Sequence, residues 1–310
     1  TRTEPEYRSG LPTVVTVVSL TLLVAVLAVV MFAALRSPLK DDIAWLLYVA
    51  RRWMAGRELY VDVVEVNPPL IVWISAAPLA LSRWIDVQTQ FVAMTGFVAT
   101  VLGCAWWAAS LMRQQGGLFA DRLPVFAIVS IVLLVLPAGE LGQREHLLVA
   151  ATLPYLALFA GEMVGHRPTL RASILAGMLA ALGCALKPRY VGVFVVLECI
   201  ALFRGLRPWR AMPLAAALTM VAYAGLVAVF APAYLRRAVP LALALYGATD
   251  SSMWRLFVES AALLGGVDNP IGAVVGGLIV GVLENLLGAY VIGTELKLTV
   301  ALVLIVGTLT

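Results

Sequence analysis

The chain has 310 residues, of which 62% are hydrophobic and 13% charged, and its mean hydropathy is +0.96. A soluble domain carries about 45–50% apolar and about 25% charged residues, so a soluble enzyme, a disordered tail and a disulfide scaffold are excluded. A membrane β-barrel is excluded too, because its strands alternate rather than run apolar. At roughly 20 residues per span, the apolar content supplies about nine to ten membrane crossings. The expected fold is an all-α polytopic membrane protein with that number of transmembrane helices.

Cys104, Cys184 and Cys199 lie in apolar runs and read as small buried hydrophobes. The two histidines, His146 and His166, are too few for a histidine-rich metal site. Lys and Arg exceed Asp and Glu by 22 to 18, a net +4 spread over short loops. That pattern signals topology and lipid contact, with no nucleic-acid partner.

In chain order, the run from about Leu11 to Leu35 is uncharged, suits one spanning helix and is too long for a signal peptide. Residues 36–68 form the longest charged stretch. Further apolar segments lie near 69–84, 88–112, 124–138, 147–161, 172–186, 190–203, 211–231, 271–292 and 296–310. The stretch 238–263 is interrupted by Pro240, Asp250 and Arg255 and is left unassigned.

The loops 163–171 and 204–210 are rich in arginine and nearly free of acids, which predicts a cytoplasmic location. Counting outward puts Gly142-Gln143-Arg144-Glu145-His146, Lys187-Pro188-Arg189-Tyr190 and residues 232–237 on the opposite face. Three apolar segments separate loop 36–68 from Gly142, so the two share a face only if one segment fails to cross. Segment 69–84 is the candidate, being short and carrying Pro68, Pro69 and Pro78.

Within loop 36–68, apolar residues fall at Ile43, Leu46, Leu47, Ala50, Trp53 and Met54, which is helical spacing. With Arg51, Arg52 and Arg57 and the aromatics Trp45, Tyr48 and Trp53, this predicts an amphipathic helix on the membrane surface. Asp42 at its start has two readings: a helix cap, or a carboxylate available for chemistry. Arg144, Glu145 and His146 read either as a functional cluster at the membrane edge or as a solvated turn. Lys187 and Arg189 read as functional cations or as snorkelling side chains beside a proline break.

The order Asp41-Asp42, surface helix, Gly56-x-x-x-Tyr60-x-Asp62, then Asn67-Pro68-Pro69-Leu70 opening a membrane helix resembles a known family. It is similar to the first extracytoplasmic loop of C-type membrane glycosyltransferases, of the protein-mannosyltransferase and lipid A aminoarabinose-transferase kind. The resemblance continues through Gly142–His146, through Gly177, Gly183, Lys187 and Pro188, and ends near Pro232 and Tyr234. It implies transfer of a sugar from a polyprenyl-phosphate donor to a protein, lipid or glycan acceptor outside a bacterial cytoplasmic membrane. The family's key aspartate matches Asp42, or Asp41. A carboxylate there orients the acceptor and takes its proton, while the phosphate leaving group needs cations, for which Arg144, Lys187 and Arg189 are the candidates. Glu145 and Glu140 are candidates for a second acid. No metal ligand is assigned, although some relatives use a divalent metal.

Residues 265–308 differ in character. Gly272 and Gly276, then Gly277 and Gly281, give two spacings for close helix packing. The string Gly265-Gly266-x-x-Asn269-Pro270 with the glycines that follow resembles the end of a branched-chain amino-acid ABC transporter permease. Two regions follow: a transferase-like region over 1–250 and a glycine-rich two-helix segment over 251–310. The rival readings are a permease subunit working with a cytoplasmic ATPase, or an inactive fusion of two fragments.

Overall fold

The computed structural model describes residues 13–39, 41–137 and 141–247. Among these residues every regular element is helical. The helices are α1 (Thr13–Arg36), α2 (Asp41–Met54), α3 (Pro69–Ile85), α4 (Thr89–Met112), α5 (Arg122–Val135), α6 (Arg144–Met163), α7 (Leu170–Leu186), α8 (Val191–Phe203), α9 (Ala211–Phe230) and α10 (Val239–Gly247). A π-helical turn, Tyr234–Ala238, precedes α10. Among the described residues, four stretches are long and apolar enough to cross a membrane: Thr13–Arg36, Thr89–Gln115, Arg144–Met163 and Ala211–Phe230. Pro69–Ile85, Arg122–Val135 and Leu170–Leu186 are apolar but shorter. The segments near 271–292 and 296–310, and the permease-like string, lie outside the described residues.

Helix α6 is the axis of the bundle, packed between α4 and α7, and α7 packs in turn against α9. Small residues allow the approach. A Cβ on Gly177 of α7 would collide with the Met212 carbonyl of α9, and one on Gly183 would come within 3.1 Å of the Ala151 side chain of α6. Both glycines of the Gly177…Lys187-Pro188 run are therefore explained by helix contact. Gly142, at φ +84°, stands where any Cβ would collide with the Phe97 ring. That closes the turn into α6 against the third turn of α4.

Gln90, in the first turn of α4, donates from Nε2 to the carbonyls of Ala34 (2.7 Å) and Ser37 (2.9 Å) at the end of α1. The start of α4 and the end of α1 thus share one end of the bundle. Helix α3 also begins there: the Leu70 N–H donates to the Tyr223 hydroxyl late in α9 (3.4 Å), and Ile71 and Val72 join a core with Leu147, Leu186 and Ala231. Segment 69–84 accordingly starts and finishes at the same end. Loop 36–68 and Gly142 come together without any conflict in the count of crossings.

Helix α2 forms where the spacing predicts, but its apolar face does not lie on lipid. Ile43, Leu46, Leu47, Val49 and Ala50 are buried with Ile71, Val72 and Leu79 of α3. Trp53 and Met54, expected on that face, are exposed. The helix is amphipathic as its spacing predicts, and it is α3 that covers its apolar face. Burial on a protein partner offers the same apolar transfer gain, of about 25 cal/mol per Å², and adds close packing.

Candidate functional site

The chain from α2 to α3 is stitched by short-range polar contacts. Pro68 and Pro69 start α3, with Pro69 at a first-turn position that needs no N–H. The Tyr60 hydroxyl donates to the Asn67 carbonyl at 2.7 Å, and its ring lies 5.2 Å from that of Tyr234. The Asp62 carboxylate accepts from the Glu58 N–H at 2.9 Å. The tyrosine and aspartate of the Gly56-x-x-x-Tyr60-x-Asp62 motif thus shape the loop, and the Pro232-x-Tyr234 element supports it from the far side.

One acid of this loop was not among the candidate site residues. Glu65 is only 4% exposed. Its Oε1 accepts from the backbone N–H groups of Val66 and Asn67, each at 2.8 Å, and its Oε2 from the Trp45 indole N–H at 2.6 Å. A single acid two residues before Asn67-Pro68-Pro69 gives no periodic signal of this role in the sequence.

Asp42 lies in the first turn of α2, where negative charge suits the helix dipole. Its carboxylate accepts from Arg144 Nη2 at 3.3 Å. The Asp42 side chain is 51% exposed and that of Arg144 only 13%. Asp41 is the first residue of α2. Beside Arg144, Glu145 forms an ion pair with Lys187 at the end of α7. Arg144 and Glu145 both occupy the N-terminal turn of α6, so the two pairs sit side by side at one end of the bundle.

Two atoms here are left over. Arg144 Nε and Glu145 Oε2 are buried without a hydrogen-bond partner among the described residues. A buried donor and a buried acceptor in that state each carry the desolvation cost of an unmade hydrogen bond. His146 faces inward instead: its Nδ1 accepts from the Gly142 N–H, and Nε2 lies 3.0 Å from the Leu133 carbonyl, each bond at 3.0 Å. Those bonds require a neutral ring with the proton on Nε2, a structural role.

Of the predicted residues, the fold brings together Asp42, Arg144, Glu145 and Lys187. Arg189 is exposed, with its guanidinium 5.1 Å from the centre of the Tyr190 ring. Glu140 lies outside the described residues. Asp42 and Glu145 are each matched to a cation, an arrangement that does not fit a divalent metal, and no group of three or more His, Cys, Asp or Glu side chains converges among the described residues.

The other end of α6, about 30 Å away at 1.5 Å per residue, holds a second polar cluster. Arg210 pairs with both Glu162 and Glu198, and the Tyr155 hydroxyl donates to Glu198 at 2.5 Å. This names the partner of Glu198, an acid otherwise out of place in an apolar helix. It ties α6, α8 and α9 together. Compared with known protein families, with characterised proteins and with solved structures, the chain has no match.

Proposed function

We propose that the chain is a multi-pass membrane glycosyltransferase that moves a sugar from a polyprenyl-phosphate donor to an acceptor. In this reading it has nine to ten spans in a bacterial cytoplasmic membrane, with α2 on the extracytoplasmic face. The observation that carries it is the contact between Asp42 and Arg144, which joins the acidic loop to the Gly142–His146 turn. An exposed carboxylate beside a half-buried guanidinium offers a base for the acceptor and a cation for the phosphate.

Asp42 takes the proton from the acceptor hydroxyl or amine as that atom attacks the anomeric carbon. The bond from the anomeric carbon to the phosphate oxygen breaks on the opposite face, as in inverting transfer. The departing phosphate gains negative charge, and Arg144 meets it. Nη2 of its guanidinium holds Asp42, and the planar fork carries further N–H donors for the phosphate. The Lys187–Glu145 pair supplies a second cation beside it, and no step is routed through a metal. The permease reading rests on residues 265–308 and gains no support from residues 13–247.

The test supplies labelled polyprenyl-phosphate sugars to membranes containing the intact chain, Asp42→Asn or Arg144→Ala. Transfer by the intact chain that both variants lose, with normal insertion, supports the reading. Equal transfer by Asp42→Asn, or none from any donor by the intact chain, counts against it.

A further inference from the structure

The outward face of α2 carries an aromatic arrangement that neither the ion pairs nor the core requires. Trp45 follows Asp42 by three residues, which makes the two neighbours on the helix surface. Tyr48 follows after three more. The two rings lie 5.5 Å apart, inclined at 31°, and are 43% and 48% exposed. The opposite face of the helix is sealed against α3.

The polar tip of Trp45 is already occupied. Its N–H donates to Glu65 at 2.6 Å, and Glu65 is itself held by two backbone N–H groups. A tryptophan that anchors a helix in the membrane interface places its polar end among headgroups and water. Here that end turns inward, so the exposed part of the indole is apolar and its orientation is fixed.

A fixed aromatic surface next to a half-exposed carboxylate has the make-up of a site for a ring with one apolar face and a polar rim. A pyranose is such a ring: its C–H face lies on the aromatics and its hydroxyls reach the acid. We infer that Trp45 and Tyr48 form a stacking platform for a sugar ring of the acceptor, which makes the acceptor a glycan or glycolipid rather than a protein side chain. The acceptor side is indicated because the platform continues along α2 beyond Asp42, whereas Arg144 pairs with Asp42 at the helix start. The inference rests on the transferase reading for the word acceptor; the binding of a sugar does not.

The experiment places the full chain in lipid nanodiscs and records saturation transfer from protein aromatic protons to mannotriose and to chitotriose. At least one oligosaccharide should receive saturation at its ring C–H protons. Trp45→Ala and Tyr48→Ala should each weaken binding about tenfold, and Trp45→Phe, which keeps a ring, should retain most of it. Glu65→Gln, which leaves one acceptor oxygen where two serve the indole and the two backbone N–H groups, should fall between.

No saturation of either sugar, or a signal unchanged in Trp45→Ala, overturns the platform. Quenching of Trp45 emission by brominated lipid chains, with no sugar signal, identifies a bilayer anchor instead. Sugar binding that depends on Trp45 without any transfer from donors keeps the platform and removes the transferase. Transfer that Asp42→Asn abolishes but Trp45→Ala leaves unchanged does the reverse.

Discussion

The Asp42 carboxylate and the Arg144 guanidinium meet at 3.3 Å across 102 residues of chain. Their meeting depends on α3 returning to the end of the bundle from which it starts. If α3 crossed, the acid and the arginine would stand at opposite ends of α6.

That arrangement is directly checkable by labelling. In a background without Cys104, Cys184 and Cys199, single cysteines at Arg57, Asp86 and Arg189 should react with a membrane-impermeant maleimide from one side. Cysteines at Arg167 and Arg207 should react only from the other. Labelling of position 86 from the Arg167 side would mean that α3 crosses.

Substitutions at the pair should separate charge from geometry. Asp42→Asn is expected to lower transfer by about 10²–10⁴-fold, the usual contribution of a positioned general base. Arg144→Lys keeps the charge but loses the planar fork and is expected to be impaired as well. Initial rates measured over a range of donor concentrations would check both.

Arg210 serves two carboxylates, so its loss should cost more than that of any exposed arginine. Arg210→Met is expected to destabilise the bundle by about 3–5 kcal/mol, the cost of stranding buried charge. Adding Glu162→Gln and Glu198→Gln should recover part of it. Thermal unfolding of the detergent-solubilised protein would follow both changes.

Tyr60 provides a pH signature. Burial first, then the neighbouring Glu65 carboxylate, pushes its phenol well above the usual tyrosine range. The unfolded chain loses that proton near about pH 10 while the folded chain keeps it. The stabilisation is therefore complete below about pH 10 and declines as the pH rises further. Tyr60→Phe should lose about 1 kcal/mol at neutral pH with the hydrogen bond to Asn67, and should show a shallower alkaline decline. Melting curves from pH 8 to pH 11 would show the difference.

Packing at Gly177 gives the last prediction. Gly177→Val should destabilise by about 1–3 kcal/mol, because the new side chain meets the α9 backbone at Met212. Gly192, with nothing within 4 Å of an added Cβ, should accept alanine at no measurable cost. The same melting assay separates the two.

Much of this was legible from residue order. Helical spacing over 43–54 located α2, the Asn67-Pro68-Pro69 sequence marked the start of α3, and the prolines of segment 69–84 marked it as the candidate for a segment that returns to the end of the bundle where it starts. Arginine-rich loops separated the two ends of the bundle. What spacing does not encode is the partner of a face. The apolar stripe of α2 has the same pattern whether lipid or α3 covers it, and only the fold shows that α3 does. Glu65 escaped for a related reason: a lone acid in an irregular loop has no period, and only the fold brings the Trp45 indole to it. The partner of Glu198 lay twelve residues away at Arg210, a separation that no helical rule connects across a turn.

The seating of α2 on α3 has a mechanical consequence. A helix held by lipid rises and falls with the thickness and lateral pressure of the bilayer around it. A helix clamped to a protein surface keeps its height relative to α6 whatever the bilayer does. The spacing between Asp42 and Arg144 is thereby uncoupled from acyl-chain length, and bilayers of short and long lipids should leave it the same.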